Sequence, residues 1–172
     1  MNKPGQGVST RIARGIVAGA IAGAIASFAM DRFQAATASL LPRTGGGGAE
    51  PATERAADAI ARTVAGADVP RADKPLAGQS VHYALGLGLG IAYGIAAEFR
   101  PGVTAAYGAG FGLGTATLLD EGVVPAVGLG EAPWRSPVST DLYSYASHLV
   151  FGGVAEFVRR RVAGTLRPAG SR

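Results

Sequence analysis

Four long apolar runs, separated by polar and Pro/Gly-rich stretches, set the pattern of this chain. The first, GIVAGAIAGAIASFAM at 15–30, carries no charge. Extended to about 13–33, it is long enough to cross ~30 Å of hydrocarbon at ~1.5 Å per residue. The second, PLAGQSVHYALGLGLGIAYGIAA, is also uncharged and is read as a span over 77–97. The third, PGVTAAYGAGFGLGTATLL, covers 101–119, and the fourth begins at LYSYASHLVFGGVA and is read over 141–158. The prediction is an all-α fold: an integral membrane four-helix bundle forming a single domain over 1–172.

The polar loop 42–76 opens with PRTGGGG, a flexible linker in composition. PATERAADAIARTVAG follows and reads as a short extra amphipathic helix in the first outer loop. Thr53 is its predicted N-cap, Glu54 and Asp58 fall early in it, and Ala56, Ile60 and Val64 recur at i+4 as an apolar stripe. That stripe is expected to lie on the membrane surface or dock on the bundle. The loop 120–140 is rich in Pro and Gly, with Trp134 as an interface anchor. A signal peptide is the rival reading of the first run, because Lys3, Arg11 and Arg14 precede it and Ala36-Thr37-Ala38 resembles a cleavage site. The length of the run and its Gly spacing favour a retained span.

Composition sharpens this picture. Of 172 residues only 16% are charged, below the roughly 25% of soluble domains. The 27 glycines sit largely inside apolar runs, where lipid-embedded helices tolerate and use them. There is no cysteine, which excludes disulfides, thiolate metal sites and cysteine nucleophiles. GLGLGIAYG and GAGFGLG fit neither a dinucleotide-binding nor a Walker pattern. No catalytic constellation is visible, so the chain is read as a non-enzyme without a nucleic-acid partner.

Small residues four apart are the strongest motif. Gly15, Gly19, Gly23 and Ser27 form an unbroken ridge on the first span. Gly86, Gly90 and Gly94 do so on the second, Gly110 and Gly114 on the third beside Gly108 and Gly112, and Gly152 marks the fourth. Such ridges let helix backbones approach closely in lipid. Most are expected to pack within the bundle; the first-span ridge is the best candidate for contact with a second copy or another membrane subunit.

Topology follows from the cations. With the N-terminus inside, that side holds Lys3, Arg11, Arg14, Arg100, Arg159, Arg160, Arg161, Arg167 and Arg172 against only Glu98 and Glu156. Both termini are therefore expected in the cytoplasm. The basic tail RRRVAGTLR could also contact anionic headgroups.

Ionisable residues in or beside the spans fall into two layers. The outer holds Asp31, His82, Asp120 and Glu121, with His148 somewhat deeper; the inner holds Glu98, Arg100, Glu156 and Arg159. His82 and His148 admit bis-His haem ligation, a metal site with Asp120 or Glu121, or a proton relay. The simplest reading gives each His an interhelical hydrogen bond and the protein no cofactor. Glu156 stands three and four residues before Arg159 and Arg160, the favourable orientation for helix ion pairs.

VHYALGLGLGIAYGIAAEFRPG at 81–102 resembles the second span of the YagU-like bacterial inner-membrane proteins, with its leading His, the Tyr93-Gly94 pair, then Ala-Glu-aromatic and Pro. SHLVFGGVAEFVRRR at 147–161 is similar to that family's last span, and Pro125 also fits. The residues that correspond are His82, Glu98, Pro125, His148, Glu156, Arg159 and Arg160. The third run departs, carrying Asp120 and Glu121 where the family has a His. The resemblance implies a four-span protein of the bacterial inner membrane, in a family without an assigned activity. The function expected is assembly through helix packing, as an oligomer or an accessory subunit. The alternatives are a small transporter, channel or proton-linked protein using the His and acid layers, or a haem or metal redox subunit.

Overall fold

The computed structural model describes residues 7–40, 50–130, 133–135 and 137–167. Among them every regular element is helical. The long helices are α1 (Val8–Thr37), α2 (Ala52–Ala65), α3 (Lys74–Phe99), α4 (Ala109–Leu118) and α5 (Val138–Thr165). The linker glycines of 42–49 lie outside the described residues.

α1 has 30 residues and no proline, so nothing interrupts its hydrogen-bond ladder over ~45 Å. α2 stops at Gly66, whose φ of 71° supplies the left-handed C-cap and lets its N–H bond Arg62 O. α3 starts on Pro75, which needs no N–H donor there, and ends before Pro101, which forces Arg100 out of the helical region. The helix expected over 101–119 is not continuous. Segment Pro101–Gly108 is irregular, with Ala106, Tyr107 and Gly108 all in left-handed geometry (φ 51°, 53° and 84°) to swing the chain into α4. α4 then continues through a π-turn, Leu119–Val123, into Val124–Ala126. Pro125 explains that turn, since it cannot donate to the Glu121 carbonyl and its ring would clash with it. The third rod is thus 109–126, about 27 Å long, displaced toward the C-terminus from the expected span.

α1 is the central helix, packing along both α3 and α5, and α4 packs on α5. Gly15 faces Gly94 and Ile95 while Gly23 faces Gly86, so α1 and α3 are antiparallel. Gly112 faces His148 while Gly108 faces Gly152, so α4 and α5 are antiparallel too. The Tyr143 hydroxyl donates to Gln34 O at 3.0 Å, setting α5 antiparallel to α1. Because α1 holds both neighbours, cleavage after Ala38 would remove the helix on which the bundle is built.

The first-span ridge is spent inside the chain. A Cβ on Gly19 would run into Gly90 O, and one on Gly90 into Gly19 O. No part of the ridge is left for another subunit, which corrects the expectation placed on it. On α4 the packing glycines are Gly108 and Gly112, not Gly110 and Gly114. Gly112 meets His148 backbone, whereas a Cβ on Gly114 would find open space and one on Gly110 would only graze Ala105 O.

The interior is small and the perimeter large. Ala18, Ala22, Ala26, Ser27, Ala155 and the glycines fill the centre, joined by Met30, Tyr93 and Phe151. Ile16, Ile21, Ile25, Phe28, Leu85, Leu113, Leu149 and Phe157 all point outward. This inverts the soluble pattern, in which Ile, Leu, Val and Phe are the residues withdrawn from solvent. α1 and α3 are long and apolar enough to cross a membrane. In the most apolar stretch of α3, 22% of the residues are buried. α5 is nearly as long as α1 but more polar, and four of its polar residues, Ser147, His148, Glu156 and Arg159, are buried.

α2 forms where expected but docks by a different face. Its N-cap is Pro51 rather than Thr53, with no side-chain cap bond. Ala57 and Asp58 are buried against the bundle, while Ile60 and Val64 face outward. The reason is polar: Asp58 accepts from Val69 N at 3.0 Å and from Lys74 Nζ at 2.5 Å, and Lys74 also bonds Glu50. Lys74, with help from the Val69 amide, holds the Asp58 carboxyl below the usual carboxylate range.

Candidate functional site

Antiparallel packing gathers the ionisable residues at the two ends of the bundle. Between the ends, stretches 15–30, 83–97, 109–119 and 149–155 contain no charged residue.

At the basic end, Arg14 and Glu98 pair through both guanidinium and carboxylate edges, Nε to Oε1 being 3.0 Å. Their side chains are 6% and 3% exposed, so the pair is withdrawn from solvent. The sequence placed Glu98 in one layer with Arg100, Glu156 and Arg159, and counted Arg14 among the cations before the first span. In the fold Glu98 lies in the last turn of α3, and Arg100 points into solvent. The available sign was position: Arg14 falls four residues before Ala18, on the same stripe as the small-residue face.

A second buried group stands beside it. Glu156 is 1% exposed and accepts from Arg159 Nε at 2.7 Å, Arg159 Nη2 at 2.8 Å and the Tyr93 hydroxyl at 2.8 Å. The Glu156–Arg159 pair is as expected; Tyr93 was missed because an aromatic in an apolar run gives no sign that its hydroxyl has a partner. Both Glu156 oxygens are taken by charge-assisted or hydroxyl donors. Arg160 sits 3.8 Å from Glu156 Oε1 and lies over the Tyr107 ring at 5.1 Å, and Arg161 lies over Phe157 at 4.9 Å.

Two cavities meet around this layer. α3 and α4 barely touch, and their main link is the stacked pair Tyr93–Phe111, centroids 4.1 Å apart. The gap is an apolar groove of about 510 Å³, walled by Leu89, Val103, Leu118 and Leu119 and bordered by Gly110 and Gly114. On the other side of segment 101–105 lies a polar cavity of about 260 Å³, lined by Thr104, Glu156, Arg159, Arg160 and Arg167.

At the opposite end the two histidines belong to different helix pairs. His82 Nε2 stands 3.2 Å from Asp31 Oδ1 between α3 and α1, and Gln79 donates to Asp31 Oδ2 at 2.7 Å. His148 Nδ1 stands 3.0 Å from Ser144 O on its own helix and 3.5 Å from Asp120 Oδ2 across to α4. Ser144 also bonds Asp120, and Glu121 is the half-buried neighbour beside them. Among the described residues no three His, Asp or Glu side chains stand together as a metal would require. A carboxylate stands near each ring, but the interhelical hydrogen bond expected of each His is not made: His82 Nε2 is buried without a hydrogen-bond partner among the described residues, and His148 Nδ1 bonds Ser144 of its own helix. Beside His82 and Asp31 is a cavity of about 270 Å³ roofed by Thr53 and Glu54 of α2.

Compared with known proteins, the chain matches no family model, no curated protein and no solved structure. None of these comparisons supports the resemblance to the YagU-like proteins.

Proposed function

We propose that this chain is a non-enzymatic integral membrane protein of four crossing segments that acts by assembling with other membrane components, as an oligomer or an accessory subunit. The observation that carries the reading is the inverted side-chain distribution: glycine, alanine and paired polar groups inside, large aliphatic residues outside. Water would not leave such a perimeter exposed, whereas lipid requires it, because helices there associate by close backbone packing. Two further observations support it. The charge-free stretches of the long helices line up between layers of ionisable residues. Arg14 and Asp31 bound α1 at a separation of ~25 Å, close to a hydrocarbon thickness. The buried Arg14–Glu98 and Glu156–Arg159 groups are ion-paired. The surplus of Arg at one end supports reading that end as the cytoplasmic side of a bacterial inner membrane.

The test is extraction followed by sizing. The protein should resist alkaline carbonate and dissolve in a mild detergent. It should then elute either as an oligomer or with a stoichiometric partner identified by mass spectrometry. Release by carbonate, or a bare monomer under every gentle condition, would count against this reading.

A proton-linked transport role is the second reading. The observation favouring it is the His82–Asp31 pair beside a cavity. Flux in proteoliposomes that survives both Asp31→Asn and His82→Ala would remove it.

A further inference from the structure

The apolar groove and the basic cavity are two halves of one amphiphilic surface. They share segment 101–105: Gly102, Val103 and Ala105 line the groove, while Pro101 and Thr104 line the cavity. Tyr93 joins them a second time, with its ring in the groove and its hydroxyl on Glu156, which lines the cavity. The groove lies between two helix rods at the depth of Leu89 and Phe111, and the cavity at the level of the Arg layer.

The charge in the cavity is unevenly committed. Arg159 gives its Nε and Nη2 to Glu156 and neutralises it. Arg160 is more than half exposed and only 3.8 Å from an already satisfied carboxylate oxygen. Arg167 lines the same cavity from the exposed end of α5. The local balance is therefore positive next to an apolar slot. That pattern fits an anion carrying a hydrocarbon tail and fits a neutral helix poorly, because a helix would leave the arginines unmatched. The backbone argues the same way. Ala105, Ala106 and Tyr107 are exposed and non-helical, and such backbone cannot face hydrocarbon but can border a headgroup.

From this geometry we infer that the surface between α3 and α4 binds an anionic phospholipid of the cytoplasmic leaflet. One acyl chain lies along Leu89, Tyr93 and Phe111, and the phosphate is held by Arg160 and Arg167. The inference rests on the membrane reading above and names the first component with which the chain assembles. The lipid fills the opening that α3 and α4 leave, and Gly110 and Gly114 keep that opening clear.

The test uses the full chain in nanodiscs and in detergent micelles, with phosphatidylglycerol and phosphatidylcholine as probes and native mass spectrometry as readout. The expected result is a retained phosphatidylglycerol, preferred over phosphatidylcholine by about tenfold or more, as two arginines near a headgroup imply. Arg160→Ala with Arg167→Ala should erase the preference while the helical circular dichroism stays unchanged. Gly114→Leu, which projects into the groove, should weaken retention of both lipids. Inorganic phosphate at millimolar concentration should not displace the lipid; displacement would show that the cavity takes phosphate alone and would overturn the lipid assignment. Incorporation into discs with no retained anionic lipid would overturn the site and leave the membrane reading standing. Failure to enter discs or micelles would overturn both. A Gly114→Leu variant that keeps its lipid but loses a co-purifying chain would make the groove's occupant a helix and also defeat the inference.

Discussion

Arg14 and Glu98, 84 positions apart in the chain, form a two-pronged ion pair closed off from solvent where α1 meets α3. Removing one member strands a buried charge, which costs about 3–5 kcal/mol in buried pairs generally. Arg14→Met, which leaves the buried Glu98 carboxylate without its bonded cation, should therefore destabilise the bundle by that order in a denaturing-detergent titration. Arg14→Met combined with Glu98→Leu should recover most of the loss. If the double variant is no better than Arg14→Met, the pair's value lies in specific bonds rather than in avoiding a stranded charge.

Gly19 and Gly114 should respond in opposite ways to the same methyl group. On Gly19 it would collide with Gly90 backbone, so Gly19→Ala should force α1 and α3 apart and lower thermal stability markedly. On Gly114 it would enter open space, and replacing a mid-helix Gly by Ala favours the helix by about 0.5–1 kcal/mol. Equal effects at the two positions would contradict the α1–α3 packing described here.

Tyr93→Phe keeps the ring on Phe111 and removes one donor from Glu156. A hydrogen bond to a charged group is worth about 1.5–3 kcal/mol, and that loss should show in unfolding. Lipid retention should be unaffected, since the groove wall is intact. A variant of unchanged stability would mean that the hydroxyl bond to Glu156 is not made.

Asp58 makes the docking of α2 acid-sensitive. Its carboxyl is held below the ordinary value, chiefly by Lys74, so its contribution is complete above about pH 4 and is lost as pH falls from there through the lower folded value. Hydrogen exchange in 52–65, corrected for intrinsic rates, should quicken on acidification through that window. Asp58→Asn should show the quicker exchange already at neutral pH and lose the pH dependence. Pairing that depends instead on Ile60 and Val64 would leave both unchanged.

The extents of α1 and α3 and the residue types at their ends could be read from the chain, because each long uncharged apolar run continues as one helix and charges gather where it stops. α1 and α3 extend a few residues beyond the predicted spans at both ends. The third rod was misplaced by several residues. The reading followed hydropathy, which begins at Pro101, while the backbone cannot become helical until it has turned through Ala106, Tyr107 and Gly108.

What the sequence determined by itself is therefore the periodic, local part: apolar runs of spanning length, ridges of small residues every fourth position, and two belts of ionisable groups. Each is a property of one helix and needs no partner to be visible. Which ridge meets which, and which cation meets which acid, only the tertiary structure decided. Gly15, Gly19 and Gly23 look alike whether they face α3 or a second molecule, and Arg14 looks like a topology signal until α3 brings Glu98 beside it. The opening between α3 and α4 was invisible for the same reason. A groove is a property of two helices that do not touch, and no single stretch of chain records the distance between them.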